Sequence, residues 1–185
     1  MPLRNIMKTT SIIAAVRDEA DLEAALKSPV RMVFLLSGDL LSLGVQTRRL
    51  HEAGKQIFLH FDLVSGLKGD VSGIRYAADN FHLNGIISTK PACLKMARDE
   101  KLMAVLRIFV IDSSGFKTGL QHAQLCQPDL VEVLPGVSGK IIRMATEHFS
   151  QPVIAGGLIQ DDDDVAQALA AGAAAVSTSC HRLWR

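Results

Sequence analysis

The feature that most constrains this chain is the even spacing of short apolar runs along its length. Eight runs rich in Val, Ile, Leu and Phe follow one another at intervals of about 23 residues, and Gly, Pro, Asp or Ser bounds each one. Runs of this length and composition are typical of buried β-strands. The predicted strands are Ile12–Val16, Met32–Leu36, Gln56–Leu63, Gly85–Thr89, Ala104–Ile111, Leu130–Pro135, Pro152–Leu158 and Ala174–Thr178.

Helical signals fill the segments between the runs, such as acids at the start, lysine at the end and a glycine or proline beyond. The predicted helices are Asp18–Lys27, Leu40–Ala53, Val71–Phe81, Pro91–Glu100, Gly119–Cys126, Ser138–Phe149 and Asp161–Ala171. Strands that alternate with helices form a parallel sheet, and eight such units predict an α/β fold, a (β/α)8 TIM-type barrel. The alternative is an open doubly wound sheet.

The chain length shapes this prediction further. With 185 residues, the chain is shorter than most barrels of this kind, so we expect a single domain over residues 1–185 with minimal loops. Only Cys180–Arg185 follow the last predicted strand, so the last helix is expected to be truncated.

Composition excludes several classes of protein. A hydrophobic fraction of 48% with 21% charged residues is not that of a disordered chain. The net charge of +1 gives no strong basic field for a polyanion. The three scattered cysteines suit a reducing compartment. The sequence has no apolar segment long enough to span a membrane, and residues 1–5 lack the apolar core of a signal peptide. We therefore expect a cytoplasmic protein without a membrane span.

The functional residues of such barrels lie at the carboxyl ends of the strands. Two glycines occupy one of these strand ends. Gly156 and Gly157 follow the seventh predicted strand, and Ser177, Thr178 and Ser179 close the eighth. Glycine lets a backbone approach an anion closely, and free N–H groups and hydroxyls donate to it. The pattern predicts a phosphate site, the alternative being a tight turn that glycine merely permits.

Two polar residues at the end of the third strand form a second candidate. His60 and Asp62 are two positions apart, so their side chains share one face of the strand together with Phe58. The acid could orient the histidine for proton transfer or for hydrogen bonding to a ligand. Alternatively, His60 is a satisfied core residue and Asp62 caps the turn that follows.

Charged residues inside apolar strands form a third candidate. Arg107 and Glu132 lie in neighbouring strands and are plausible partners near the barrel mouth, either as a ligand site or as a structural ion pair. Lys90, after the fourth strand, faces either an anion or solvent. Asp112 is expected to end the fifth strand, but its position there is out of phase with Arg107.

Four consecutive aspartates, Asp161–Asp164, look like a metal cluster at first sight. Adjacent helical residues fan out to different sides, and carboxylates are favourable at a helix N-terminus. We interpret the run as the start of a helix and expect neither a metal nor a cofactor.

Several segments in this order carry a family resemblance. They are His60-Phe61-Asp62-Leu63, Gly85-Ile86-Ile87-Ser88-Thr89-Lys90, Glu132-Val133-Leu134-Pro135-Gly136, Ala155-Gly156-Gly157-Leu158-Ile159, Ser177-Thr178-Ser179 and the terminal Leu183-Trp184. From about Ile12 to Trp184, the sequence resembles the bacterial glycerol-3-phosphate-responsive antiterminator family.

The resemblance implies a small barrel that binds glycerol 3-phosphate. It also implies that the liganded protein binds the leader of a glycerol-utilisation mRNA, prevents termination and stabilises the transcript. By position, the phosphate would lie at Gly156, Gly157, Thr178 and Ser179. Asp62, Lys90, Arg107 and Glu132 would line the mouth and read the glycerol hydroxyls, with His60 beside them.

RNA binding needs basic residues gathered in space, because lysine and arginine neutralise the phosphates of the nucleic acid. The residues considered for such a patch are Arg48, Arg49, Lys55, Lys68, Arg182 and Arg185. A missing last helix would leave barrel wall uncovered, so we expect a homodimer. The alternative function is a barrel enzyme, an isomerase, lyase or aldolase, acting on a small phosphorylated metabolite with Lys90 or the His60/Asp62 pair as base.

Overall fold

A computed structural model describes residues 11–185, which form a closed barrel of eight parallel strands surrounded by seven helices. The strands are β1 (Ile12–Val16), β2 (Met32–Leu35), β3 (Gln56–His60), β4 (Gly85–Ser88), β5 (Met103–Phe109), β6 (Leu130–Leu134), β7 (Val153–Gly156) and β8 (Ala175–Thr178). The helices are α1 (Glu19–Lys27), α2 (Leu43–Glu52), α3 (Val71–Asn80), α4 (Pro91–Asp99), α5 (Ser113–Cys126), α6 (Gly139–His148) and α7 (Asp162–Ala170). Short 3-10 turns occupy Phe61–Leu63 and His181–Leu183.

The strand order follows the chain, and β1 pairs with β8 to close the sheet. The predicted (β/α)8 barrel is therefore confirmed, and the open doubly wound alternative is wrong. Each predicted strand overlaps an observed one, and β1 has the predicted bounds. The one-domain prediction for residues 1–185 stays a prediction, because the first ten residues lie outside the described part.

Side chains on each strand alternate between the lumen and the helices, as the period of two requires. Apolar residues such as Phe34 and Phe58 fill the lumen, with their ring centroids 5.8 Å apart. Ile57 and Leu59 face the other way, into the core between the sheet and the helices. One inward position beyond the apolar layer, the lumen becomes polar, so the floor of the barrel is packed while its carboxyl end carries functional groups.

Aspartates begin four of the helices in residues 11–185. The carboxylates of Asp18, Asp70, Asp112 and Asp161 each accept a hydrogen bond from the backbone N–H three residues further on. The N–H of Asp161 donates in turn to the Asp164 carboxylate, which completes a capping box. The interpretation of Asp161–Asp164 as a helix start is confirmed.

The fifth helix differs from its prediction. It begins at Ser113 rather than Gly119, and Asp112 is its N-cap rather than the end of β5, which stops at Phe109. Gly119 lies inside the helix because that helix packs closely on β5: a Cβ there would stand 3.0 Å from Cδ1 of Ile108. Gly119 therefore serves close packing within the helix and is not its first residue.

The end of the chain has only a 3-10 turn in place of an eighth helix, as predicted. Leu183 and Trp184 are both 4% exposed, and the indole Nε1 of Trp184 donates to the Thr178 carbonyl at 2.9 Å. The expectation of an uncovered barrel wall is wrong, because these two side chains cover it. The homodimer stays a prediction, without this argument for it.

Within residues 11–185, each helix is too short or too polar to cross a lipid bilayer. The expectation that no signal peptide occupies residues 1–5 lies outside the described residues.

Candidate ligand-binding site at the barrel mouth

A cavity of about 520 Å³ opens at the carboxyl ends of the strands. Of the nine residues predicted for the site, five line this cavity: Arg107, Glu132, Gly157, Thr178 and Ser179. They come from β5, β6 and the segments after β7 and β8, so the barrel brings together residues that are far apart in sequence.

A buried ionic network forms the floor of the cavity. The Nε of Arg107 donates to Oε2 of Glu132 at 2.6 Å, and the Ser177 hydroxyl donates to Oε1 of Glu132 at 2.5 Å. The side chains of Arg107 and Glu132 are only 8% and 1% exposed. The predicted pairing of these two residues is thus confirmed, and Ser177 joins them from β8, two strands away from Glu132.

Gly156 provides the space for this network. A Cβ at Gly156 would stand 2.6 Å from Oε1 of Glu132 and 2.7 Å from the Ser177 hydroxyl, closer than packed atoms tolerate. Gly156 does not line the cavity. Its role is to leave room for the Glu132 carboxylate, because glycine has no side chain.

The segments after β7 and β8 form the outer wall. Gly157 adopts a φ of +83°, a left-handed conformation that favours glycine. The Thr178 hydroxyl donates to the Ile159 carbonyl at 2.7 Å and accepts from the Cys180 N–H at 3.0 Å. Thr178 therefore connects the two segments, and its hydroxyl is already hydrogen-bonded within the protein. The backbone of these segments and the Ser179 side chain are the groups left to bind a ligand.

His60 faces the lumen at the end of β3 and is 4% exposed. Its Nδ1 has no hydrogen-bond partner among the described residues. Burial and the positive charge of Arg107 lower the pKa of His60 to about 4. The imidazole is therefore neutral at pH 7. It does not have the partners that a satisfied core histidine would have.

Asp62 and Lys90 are outside the cavity lining. The Asp62 carboxylate accepts hydrogen bonds from the hydroxyls of Ser88 and Thr89 and from the Thr89 N–H, at 2.8 to 3.0 Å. Burial alone would raise the pKa of Asp62, but these bonds outweigh it and lower the pKa. The Nζ of Lys90, on a side chain 71% exposed, lies 3.5 Å from Asp62. Asp62 thus fastens β3 to β4, and it does not orient His60.

Two arginines at the mouth were not predicted for the site. Arg17, the first residue after β1, lines the cavity, and so does Arg182, which was expected only as part of an RNA-binding patch. The signal for Arg17 was its place directly after a strand, where barrels collect functional groups.

Among the six basic residues considered for RNA binding, Lys55 and Arg49 make contacts within the protein. Lys55 is 8% exposed, and its Nζ donates to the carbonyls of Ser28 and Val30. Arg49 pairs with Glu19 and Glu23 on α1. The charges of Lys55 and Arg49 are thus engaged within the protein.

Comparison with known proteins identifies the family. The family model described as "Glycerol-3-phosphate responsive antiterminator" matches residues 12–184. The Escherichia coli (strain K12) protein YgcP is 35% identical over 184 residues, which is 100% of this chain and 96% of YgcP.

Two solved structures share the barrel. The glycerol uptake operon antiterminator regulatory protein from Listeria monocytogenes str. 4b F2365 is 36% identical over 95% of both chains, with a TM-score of 0.91. A glycerol uptake operon antiterminator-related protein from Thermotoga maritima MSB8 is 32% identical, with a TM-score of 0.82 over 95% of this chain and 98% of that one. The chain therefore belongs to the glycerol-3-phosphate responsive antiterminator family.

Proposed function

We propose that this protein is a glycerol 3-phosphate-responsive antiterminator that binds and stabilises the leader mRNA of a glycerol-utilisation operon in the cytoplasm. Family membership supports this role, and the similar Listeria protein is described as a glycerol uptake operon regulator. The observation that carries the proposal is the buried Glu132 carboxylate at the floor of a cavity lined by arginines.

Glu132 suits the polyol end of such a ligand. A carboxylate has about four acceptor sites, and Arg107 and Ser177 use two of them. The remaining capacity is available to ligand hydroxyls, which would donate to a charged acceptor in a poorly solvated site. The Arg107 guanidinium stays hydrogen-bonded to that carboxylate.

The phosphate end fits the outer wall. Gly157 brings the backbone close to the cavity, and Ser179 lines the same side. Backbone N–H groups and a hydroxyl at this position would bind a phosphate, as the segments after the last two strands do in many barrels. Gly156 and Thr178 support the site indirectly, through Glu132 and through the fixed position of the wall.

Two of the three residues considered as a base in the enzyme alternative are engaged away from the cavity. Lys90 points into solvent beside Asp62, and Asp62 is bonded to β4 instead of His60. Neither residue is placed to move a proton at the cavity, and the family is one of regulators.

Calorimetry with glycerol 3-phosphate, with and without the leader RNA, tests the proposal. If the ligand strengthens RNA binding, RNA must strengthen ligand binding by the same factor. We expect a lower Kd for glycerol 3-phosphate in the presence of RNA, and read-through of a terminator in vitro only with both present. Equal ligand affinity in the two samples would contradict the coupling, and an absence of binding would contradict the proposed function itself.

A further inference from the structure

The arginines of the mouth are not equivalent. Three arginines line the cavity, Arg17, Arg107 and Arg182, whereas Glu132 is the one acidic residue among the described lining residues. Arg107 is matched by Glu132 at 2.6 Å. The positive charge of the cavity therefore resides mainly on Arg17 and Arg182, near the outer wall.

Arg17 is held by one edge of its head group. Its Nε and its backbone N–H both donate to Oδ2 of Asp21, at 3.1 and 3.0 Å. Its two terminal nitrogens have no hydrogen-bond partner within residues 11–185, although Arg17 lines the cavity. A guanidinium fixed through Nε presents its other two nitrogens as a fork, which is the geometry that grips a phosphate.

Asp21 connects this arginine to the end of the chain. Its carboxylate is 4% exposed, and Oδ1 lies 2.6 Å from Nε2 of His181. Burial alone would raise the pKa of Asp21, but the hydrogen bonds from His181 and Arg17 outweigh it and lower the pKa. Asp21 is thus an ionised group that binds β1 and the terminal turn at once.

Arg182 follows His181 in that turn. Its Nη2 donates to the Gln160 carbonyl at 3.1 Å, in the segment after β7, and it has no carboxylate partner among the described residues. Because Asp21 holds His181 in place, it also fixes the backbone of the next residue, Arg182, beside the cavity. The two arginines come from opposite ends of the described chain.

We propose that Arg17 and Arg182 together bind the phosphate group of a small phosphomonoester, with Asp21 as the residue that positions Arg17. The proposal rests on the proposed function and adds the side chains that hold the phosphate. The dianionic phosphate lies at the outer wall, on the side where Arg17 follows β1. The hydroxyl-bearing end of the ligand points inward to Glu132. Arg182 supplies a guanidinium charge without a carboxylate partner among residues 11–185, and Arg17 supplies the two terminal nitrogens that its ion pair with Asp21 leaves available to the phosphate.

The first test is calorimetric titration of glycerol 3-phosphate and of glycerol into Arg17→Met and Arg182→Met. Each variant is expected to bind glycerol 3-phosphate about 10- to 100-fold more weakly, because it loses charge-assisted hydrogen bonds. Heat from glycerol should be unchanged. Arg185→Met is the matched control: Arg185 pairs with Asp162 on the surface and is not in the cavity lining. Arg17→Lys keeps the positive charge but loses the forked pair of nitrogens, so its affinity for glycerol 3-phosphate should lie between those of wild type and Arg17→Met.

The second test separates positioning from general stability. Asp21→Asn should weaken glycerol 3-phosphate binding, and this loss of affinity should be smaller in an Arg17→Met background than in wild type. A purely structural Asp21 would instead give the same loss in both backgrounds. Unchanged affinity in Arg17→Met and Arg182→Met, with wild type binding the ligand, overturns the arginine assignment and leaves the proposed function standing. Wild type that binds no glycerol 3-phosphate overturns both.

Discussion

Arg107 and Glu132 stand opposite each other in the register of β5 and β6, and their side chains meet inside the barrel at 2.6 Å. Burying two charges costs desolvation that their attraction does not reliably repay. Apolar residues would fill the same space at no such cost. We therefore interpret the pair as a binding group that the fold tolerates.

Removing one member of the pair should be costly for stability. In Glu132→Gln, the Arg107 charge stays buried without a counter-charge, and the free energy of unfolding should fall by about 3 kcal/mol. Urea denaturation at pH 7.5 measures this change. Glu147→Gln on the exposed face of α6 is the control and should change it little.

A paired replacement distinguishes function from stability. The double variant Arg107→Met, Glu132→Leu removes both charges and should recover most of the stability that Glu132→Gln loses. It should still fail to bind glycerol 3-phosphate in calorimetry. Retained binding in this double variant would show that the pair does not read the ligand.

Gly156→Ala should disrupt the same network from the neighbouring strand. The added Cβ would stand within 2.7 Å of both Glu132 Oε1 and the Ser177 hydroxyl, so their hydrogen bond must break or shift. We expect a loss of about 1 to 3 kcal/mol in urea denaturation, together with weaker glycerol 3-phosphate binding.

Gly44→Ala is the matched control for this substitution. A Cβ at Gly44 on α2 meets its nearest atom at 4.0 Å, and alanine favours a helix over glycine. The control should leave ligand affinity unchanged and should not reduce stability. Equal behaviour of the two variants would show that the space beside Glu132 does not matter.

The sequence predicted the barrel well because its signal repeats. Eight apolar runs require eight buried strands, and adjacent strands five and six were enough to pair Arg107 with Glu132. A cavity at the ends of β7 and β8 followed from the fold class alone.

The sequence could not show how individual polar groups are used. Whether Asp62 meets His60 or Ser88 depends on the stagger between β3 and β4, which a strand pattern does not reveal. Likewise, Lys55 looked like a surface charge, but its ammonium binds two carbonyls near the end of α1. The part played by Arg17 depends on Asp21, one helical turn later, fixing its Nε.

His60 should make stability depend on pH. Its folded-state pKa of about 4 lies below the unfolded value of about 6.5, so the unfolded chain binds more protons between these limits. Stability is therefore lost as the pH falls from 6.5 towards 4. Between pH 7.5 and 5, His60 alone should account for a loss of about 2 kcal/mol.

The measurement compares wild type with His60→Gln by urea denaturation at the two pH values. On acidification from about pH 7.5 to 5, the free energy of unfolding of the variant should fall by about 2 kcal/mol less than that of wild type, because the glutamine side chain does not titrate. His51→Gln, at an exposed position on α2, is the control and should follow wild type. Equal acid sensitivity in wild type and His60→Gln would show that His60 titrates normally.

The backbone at Gly157 allows a test of the anion site that separates charge from strain. Gly157→Asp and Gly157→Asn place side chains of nearly the same shape at a φ of +83°, where a Cβ would lie 3.1 Å from Cδ2 of Leu134. Both residues tolerate this conformation better than other L-residues, so their strain should nearly cancel in a comparison. The aspartate alone adds a negative charge beside the proposed phosphate. We expect calorimetry to show glycerol 3-phosphate binding about tenfold or more weaker in Gly157→Asp than in Gly157→Asn, with a gap that narrows at high salt. Equal affinities would place the phosphate away from the segment after β7.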